Sequence, residues 1–217
     1  MFTLRAKVAA ALAAFVVISV GCSSIEYALK ESVLGIEKRD ILAARVEDGR
    51  DDQQEAKEQF QTALEAFKDV VQFDGGSLEA AYNTLSDELE DCESRASDVR
   101  NRIDAIEDVA AALFSEWESE VASFENATRR QASEQMLRDT QNRYQGLIAA
   151  MQKAEGAMEP VLSEFREQVL FLKHSLNAQA IAALQDSVIE IESDVARLVQ
   201  DMEASIAEAE SFLATLS

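Results

Sequence analysis

Apolar residues recur along this chain in alternating steps of three and four. Four long stretches carry the pattern, and it leaves room for little besides long helices packed side by side. In the first stretch the stripe runs Val46, Gly49, Gln53, Ala56, Phe60, Ala63, Phe67 and Val70, with Gly49 and Gln53 weakening its first half. The second runs Leu85, Leu89, Cys92, Ala96, Val99, Ile103, Ile106, Ala110, Leu113, Trp117, Val121 and Phe124, with one step of four repeated near Trp117. The third runs Leu137, Thr140, Tyr144, Leu147, Met151, Ala154, Met158, Val161, Phe165, Val169 and Leu172. The fourth runs Ile181, Leu184, Val188, Ile191, Val195, Leu198, Met202, Ile206, Ala209, Leu213 and Leu216. A sheet protein needs a turn every few residues, and 7 Gly and 1 Pro in 217 residues supply few of them.

Local chemistry marks the boundaries. In "FDGGS", Gly75 and Gly76 can take positive φ and end a helix, and Ser77 is a ready N-cap. In "ENAT", Asn126 or Thr128 starts the next helix. "HSLN", from His174 to Asn177, makes the last boundary. Pro160 lies inside the third stripe. It removes the backbone bond to the Gly156 carbonyl, but the apolar phase continues across it, which predicts a kink and not a stop. The expected helices cover about 38–72, 78–125, 129–173 and 178–216 of a domain spanning 38–217. Short connections force antiparallel neighbours, so the predicted fold is an all-α, elongated antiparallel four-helix bundle with coiled-coil-like packing. The narrow stripes also permit looser coiled-coil hairpins, or extra burial in a homo-oligomer.

The first 37 residues read differently. Met1–Lys7 is short and basic, and Val8–Val20 is a continuous apolar run ending at Gly21-Cys22. Thirteen apolar residues are too few to span a bilayer but fit a signal segment. A small residue directly before cysteine resembles a bacterial lipobox, so residues 1–21 are expected to be a signal peptide and Cys22 the lipidated mature start. Ser19 departs from the leucine commonest three residues before the cysteine, and Ser23, where an Asp would favour inner-membrane retention, points to the outer membrane, facing the periplasm. Each buried methylene contributes about 0.8 kcal/mol, and two or three acyl chains hold far longer than one. Residues 22–37 would be the lipidated cysteine and a tether, within which "IEYALKESVLGI" can form a short amphipathic helix ended by Gly35.

Charge and residue inventory exclude several functions. The net charge is −21, and Arg5 and Lys7 are the only charged residues among the first 21, so the remainder carries −23. Such a surface repels phosphate backbones, and no nucleic-acid partner is expected. A di-iron or zinc bundle needs paired Glu and His ligands, and His174 is the only histidine. At a helix end it is favoured by the C-terminal dipole. Asp51, Asp52, Asp91 and Glu93 fall on surface phases. No calcium loop, phosphate loop or nucleophile elbow occurs, so no catalytic, cofactor-binding or metal-binding residue is assigned. Cys92 sits on the second stripe and reads as a buried small hydrophobe without an intrachain partner. Trp117, Phe124, Tyr144, Phe165 and Phe171 read as core, while Phe114, just off the stripe, would form a docking patch with Trp117 if both were exposed.

The stretches "GIEKRDILAARVEDGRDDQQEAKEQF" (35–60), "DVVQFDGGSLEAAYN" (69–83), "RIDAIEDVAAALFSEWE" (102–118), "FLKHSLNAQAIAAL" (171–184) and "MEASIAEAESF" (202–212), together with the lipobox, resemble a family of Gram-negative lipoproteins known as domain of unknown function 2959. The resemblance implies a helical, coiled-coil-bearing envelope lipoprotein and brings no activity or catalytic residue. The expected function is structural or scaffolding, with a protein partner in the envelope and the membrane held through Cys22. The alternative is a lipid-binding or membrane-shaping bundle, and an enzyme is the third reading.

Overall fold

A computed structural model of the chain describes residues 38–73, 75, 77–175, 177–185 and 187–216. The expected signal peptide, Cys22 and its tether lie outside these residues. Six helices are described: α1 Lys38–Val71, α2 Leu78–Ser123, α3 Ala127–Gly156, α4 Met158–His174, α5 Ala178–Leu184 and α6 Val188–Leu216. The bundle is all-α among the described residues, as the stripes predict.

The boundaries form for the local reasons that the sequence supplies. Gly75 takes φ +151°, which favours glycine. Ser77 caps α2, its Oγ accepting from the Ala80 amide at 3.2 Å. Asn126 caps α3, its Oδ1 accepting from the Arg129 amide at 3.0 Å. At Pro160 the expected kink is a one-residue interruption. Ala157 leaves the helical pattern but stays right-handed (φ −79°, ψ −12°), and its amide still reaches the Lys153 carbonyl at 3.2 Å. Both α3 and α4 pack along α2, so the chain does not turn back there.

The fourth helix departs from expectation. It is broken between α5 and α6, although its stripe alternates without a slip from Ile181 to Val195. The Ser187 amide donates to the Leu184 carbonyl at 3.1 Å, ending α5, and its own carbonyl accepts from Ile191 at 3.0 Å, starting α6. Asp and Ser are residues that favour such restarts over a helix interior. The short α5 packs against α1 and α4, and Leu184 is buried there.

Helix α1 packs on α2 and α6, and α3 packs on α2 and α6, which closes a four-walled bundle. The direction of each pair is legible in its ion pairs. Moving up α1 from Lys38 through Asp48 to Glu55, the partners on α2 descend from Glu116 through Arg102 to Arg95. Moving up α1 from Lys57 to Lys68, the partners on α6 descend from Glu203 to Glu192. The wall between α2 and the third helix shows the same descent: Arg100 meets Glu155, and Glu93 meets Arg166. All adjacent walls are therefore antiparallel, the up-down-up-down order that short connections impose. Such half-exposed pairs contribute little each, but they report the register.

Every residue of the first stripe is buried, Gly49 and Gln53 included. The second stripe is corrected at its slip. Phe114 takes the core seat four residues after Ala110, while Leu113 and Trp117 are half-buried. That restores a 4-3-4 progression from Ala110 through Phe114 and Trp117 to Val121, so a docking patch of exposed Phe114 and Trp117 does not exist. Phe114 instead packs edge-on against Tyr144, ring centres 5.4 Å apart. The fourth stripe is corrected twice. Ser205 and Phe212 face the core in place of Ile206 and Leu213, keeping the steps from Met202 at 3-4-3. Two of the aromatics read as core are exposed: Phe124 (38 %) because it caps the end of α2, and Phe171 (42 %) because its neighbour Leu172 holds the core seat.

Candidate functional site

Two places in the bundle depart from a dry, closed core. The first is a polar layer at mid-height. Gln53 is fully buried, and neither its amide nitrogen nor its carbonyl oxygen has a hydrogen-bond partner. The Lys57–Glu203 pair sets the local register, placing Ser205 at nearly the same height on α6. Its hydroxyl is likewise buried and unpartnered. Such groups cost about 1–3 kcal/mol each when left unmade. One turn from Gln53, Gly49 lets three helices close in. A Cβ there would stand 2.8 Å from Met151 Cε and 2.9 Å from Ile106 Cδ1.

The second is at the end of the bundle where α1 begins. A cavity of about 230 Å³ opens beside Trp117, lined by Arg39, Leu113, Met136, Thr140 and Leu216 with Glu116 and Glu120 at its flank. Trp117 is held by its indole N–H, which donates to Ser133 Oγ at 3.0 Å across the α2–α3 wall. Lys38 meets Glu116 at 2.6 Å, so α1 starts level with Trp117. Helix α6 ends at Leu216 in the same lining. Met136, on α3 in the same lining, is 61 % exposed.

Burial and ion pairing move several titratable groups from their ordinary values. Burial, with the nearby carboxylates of Glu88, Asp91 and Glu93 adding to it, pushes the Cys92 thiol up to about 12, against a weaker opposing hydrogen bond with Gln59. A thiol held neutral is a poor nucleophile. Burial, with Glu107, also pushes Tyr144 up to about 12. Burial works to lower Arg102, but its hydrogen bond to Asp52 and the charges of Asp52, Asp48 and Asp98 outweigh it and leave the group raised. Lys68 is raised by its bonds to Glu192 and Glu65.

The residues weighed from the sequence fall as follows. Cys92 is buried in the core. His174 is the last residue of α4, beside Lys173 in its final turn. Asp52 pairs with Arg102 and Glu93 with Arg166, so these acids serve the walls of the bundle. The structure brings no three of His, Cys, Asp or Glu together as a metal site among the described residues. Among the same residues no helix is long and apolar enough to cross a membrane. Sequence reasoning missed the Trp117 cavity, whose only signal was the repeated step of four at that residue.

Fold and site together define a coiled-coil-like, antiparallel helical bundle with a buried polar layer and a groove of mixed polar and apolar lining at one end. The family model described as "Protein of unknown function (DUF2959)" matches residues 26–216, and the chain belongs to that family. No curated protein and no solved structure matches the chain.

Proposed function

We propose that this protein is a non-catalytic, lipid-anchored spacer of the bacterial envelope, a bundle that holds a protein partner at a set distance from the outer membrane. The observation that carries the reading is the position of Lys38. It opens α1 at one extreme of the bundle, level with Glu116 near the end of α2, so a chain acylated at Cys22 enters the pillar from one end. At 1.5 Å per residue, the 34 residues of α1 and 46 of α2 span about 50 and 70 Å. The far end then projects into the periplasm and carries Leu170 and Ile189 exposed, Ile189 at 78 %. The signal-like leader with Cys22 supports the anchor, and the charge of −23 that remains without residues 1–21 opposes direct spreading on anionic headgroups.

The test is site-specific photocrosslinking in intact cells, with the photoreactive residue placed at Ile189 and, separately, at the solvent face of α1. The reading expects one discrete protein adduct from Ile189 and little from α1. Adducts to lipid alone, with the protein otherwise monomeric, would replace the spacer by a lipid-binding bundle.

A further inference from the structure

We propose that α4 docks on the α4 of a second copy of this chain, antiparallel across a two-fold axis that passes between Leu170 and Phe171. The inference goes beyond the spacer reading and does not need the anchor. Helix α4 turns Val161, Phe165 and Leu172 into the core. Its opposite face carries Glu167, Leu170, Phe171 and His174, at steps of three, one and three, all exposed. Leu170 is 57 % exposed and Phe171 42 %, two large apolar side chains side by side in solvent. Phe171 stands between two cavities. One, of about 440 Å³, follows the face from Glu167 to Ser175, and the other, of about 330 Å³, reaches Gln179 and Ala183 on α5. The face is therefore stepped, with room beside Phe171 for a side chain of the second copy.

Charge and symmetry choose the occupant. Residues 168–185 hold no Asp or Glu, the longest such run between residues 38 and 217, so a chain of net charge −21 repels its own copy least here. The face has its acid, Glu167, at one end and its bases, Lys173 and His174, at the other. An antiparallel two-fold between Leu170 and Phe171 lays Glu167 of each copy over His174 of the other, because both stand three residues from the axis. It also sets Leu170 against Leu170 and Phe171 against Phe171, one pair on each side of the axis. Parallel helices would instead put Glu167 on Glu167, a like-charge contact. An anionic lipid surface meets the same Glu167 on the midline of the face. The second copy supplies the reversed order of acid and base by symmetry alone. One helix face a side lies at or below the low end of the about 1,200–2,000 Å² that stable complexes bury, so the pair is weak and reversible.

The test is disulfide trapping on the full chain, purified in mild detergent and oxidised with copper–phenanthroline. The substituted positions are all exposed, and the wild-type chain, with Cys92 buried, sets the background from Cys22. Leu170→Cys and Phe171→Cys, each alone, should give disulfide-linked dimers about tenfold above that background, because each meets itself across the axis within the narrow Cβ separation that a disulfide needs. Glu167→Cys alone should stay at background, and Glu167→Cys with His174→Cys should rise to the level of Leu170→Cys. Glu167→Lys should cut the Leu170→Cys dimer about fivefold, and adding His174→Glu should restore it. Background-level dimer at both Leu170→Cys and Phe171→Cys would overturn the proposal, whether a water-soluble maleimide then labels the thiols freely or finds them covered by lipid or another protein. A Glu167→Cys dimer as strong as that of Leu170→Cys would make the contact parallel or unspecific and overturn it too, as would a Leu170→Cys dimer indifferent to the charge swap. None of these results touches the spacer reading, which the Ile189 adduct tests separately.

Discussion

The middle of this bundle and its Trp117 end are built from the same helices but solve opposite problems. At mid-height all four walls are present, Gly49 draws Met151 and Ile106 into contact distance, and even the polar Gln53 and Ser205 are sealed away from water. At the end, a tryptophan that belongs to the same apolar stripe is half-buried, beside an exposed methionine and a cavity of about 230 Å³. The difference shows that a heptad stripe states only which side of a helix is apolar. Whether that side is buried depends on what packs against it.

The contrast is open to direct measurement. Phe60 is fully buried, and Phe60→Ala should cost about 3–5 kcal/mol in urea unfolding, through lost transfer energy and a residual cavity. A loss below 1 kcal/mol would mean that the middle is loosely packed. Gly49→Val forces atoms into a gap already inside 3 Å, so overpacking should cost about 1–3 kcal/mol, moderated because the nearest atoms are the ends of flexible side chains. Gln53→Leu removes two unmade hydrogen bonds at similar volume and should stabilise by about 1–2 kcal/mol. A destabilisation there would indicate that the amide is satisfied in solution.

Smaller again is the alkaline response. With Cys92 raised from an ordinary 9.0 to about 12, the folded chain keeps a proton that the unfolded chain releases. Its contribution is complete below about pH 9 and is lost as pH rises toward 12, with a slope of at most about 1.4 kcal/mol per pH unit. Cys92→Ala should flatten the fall in Tm above pH 9, leaving the later share of Tyr144. An unchanged slope would show that the thiol is not sealed. The smallest effect is expected at the open end, where Met136→Asp should move stability by less than about 0.5 kcal/mol.

Most of the bundle was legible before any coordinates. The stripe through Gly49 and Gln53 held its phase although neither residue is apolar, because the helical period is set by the residues around them. Ser77 and Asn126 announced their caps through side chains that accept from the first turn. Legibility failed where two positions compete for one seat. At 205 and 206 the larger apolar residue attracted the reading, but the bundle seats Ser205, since the contact of Phe212 with Tyr144 at 6.3 Å sets the rotation of α6. Phe114 was missed for the same reason, one position from the expected Leu113. The break at Ser187 was hidden by an apolar rhythm that runs unbroken through a local restart. The groove was invisible because periodicity marks the apolar side of a helix and not the gaps left between helices.

The account's central claim, a helical pillar entered from one end by an acylated chain, is tested most directly by intact-mass spectrometry of the protein extracted from envelope membranes. It predicts a chain beginning at Cys22 and carrying a diacylglyceryl group, with or without a further acyl chain on the amine. An unmodified chain still beginning at Met1 would contradict it.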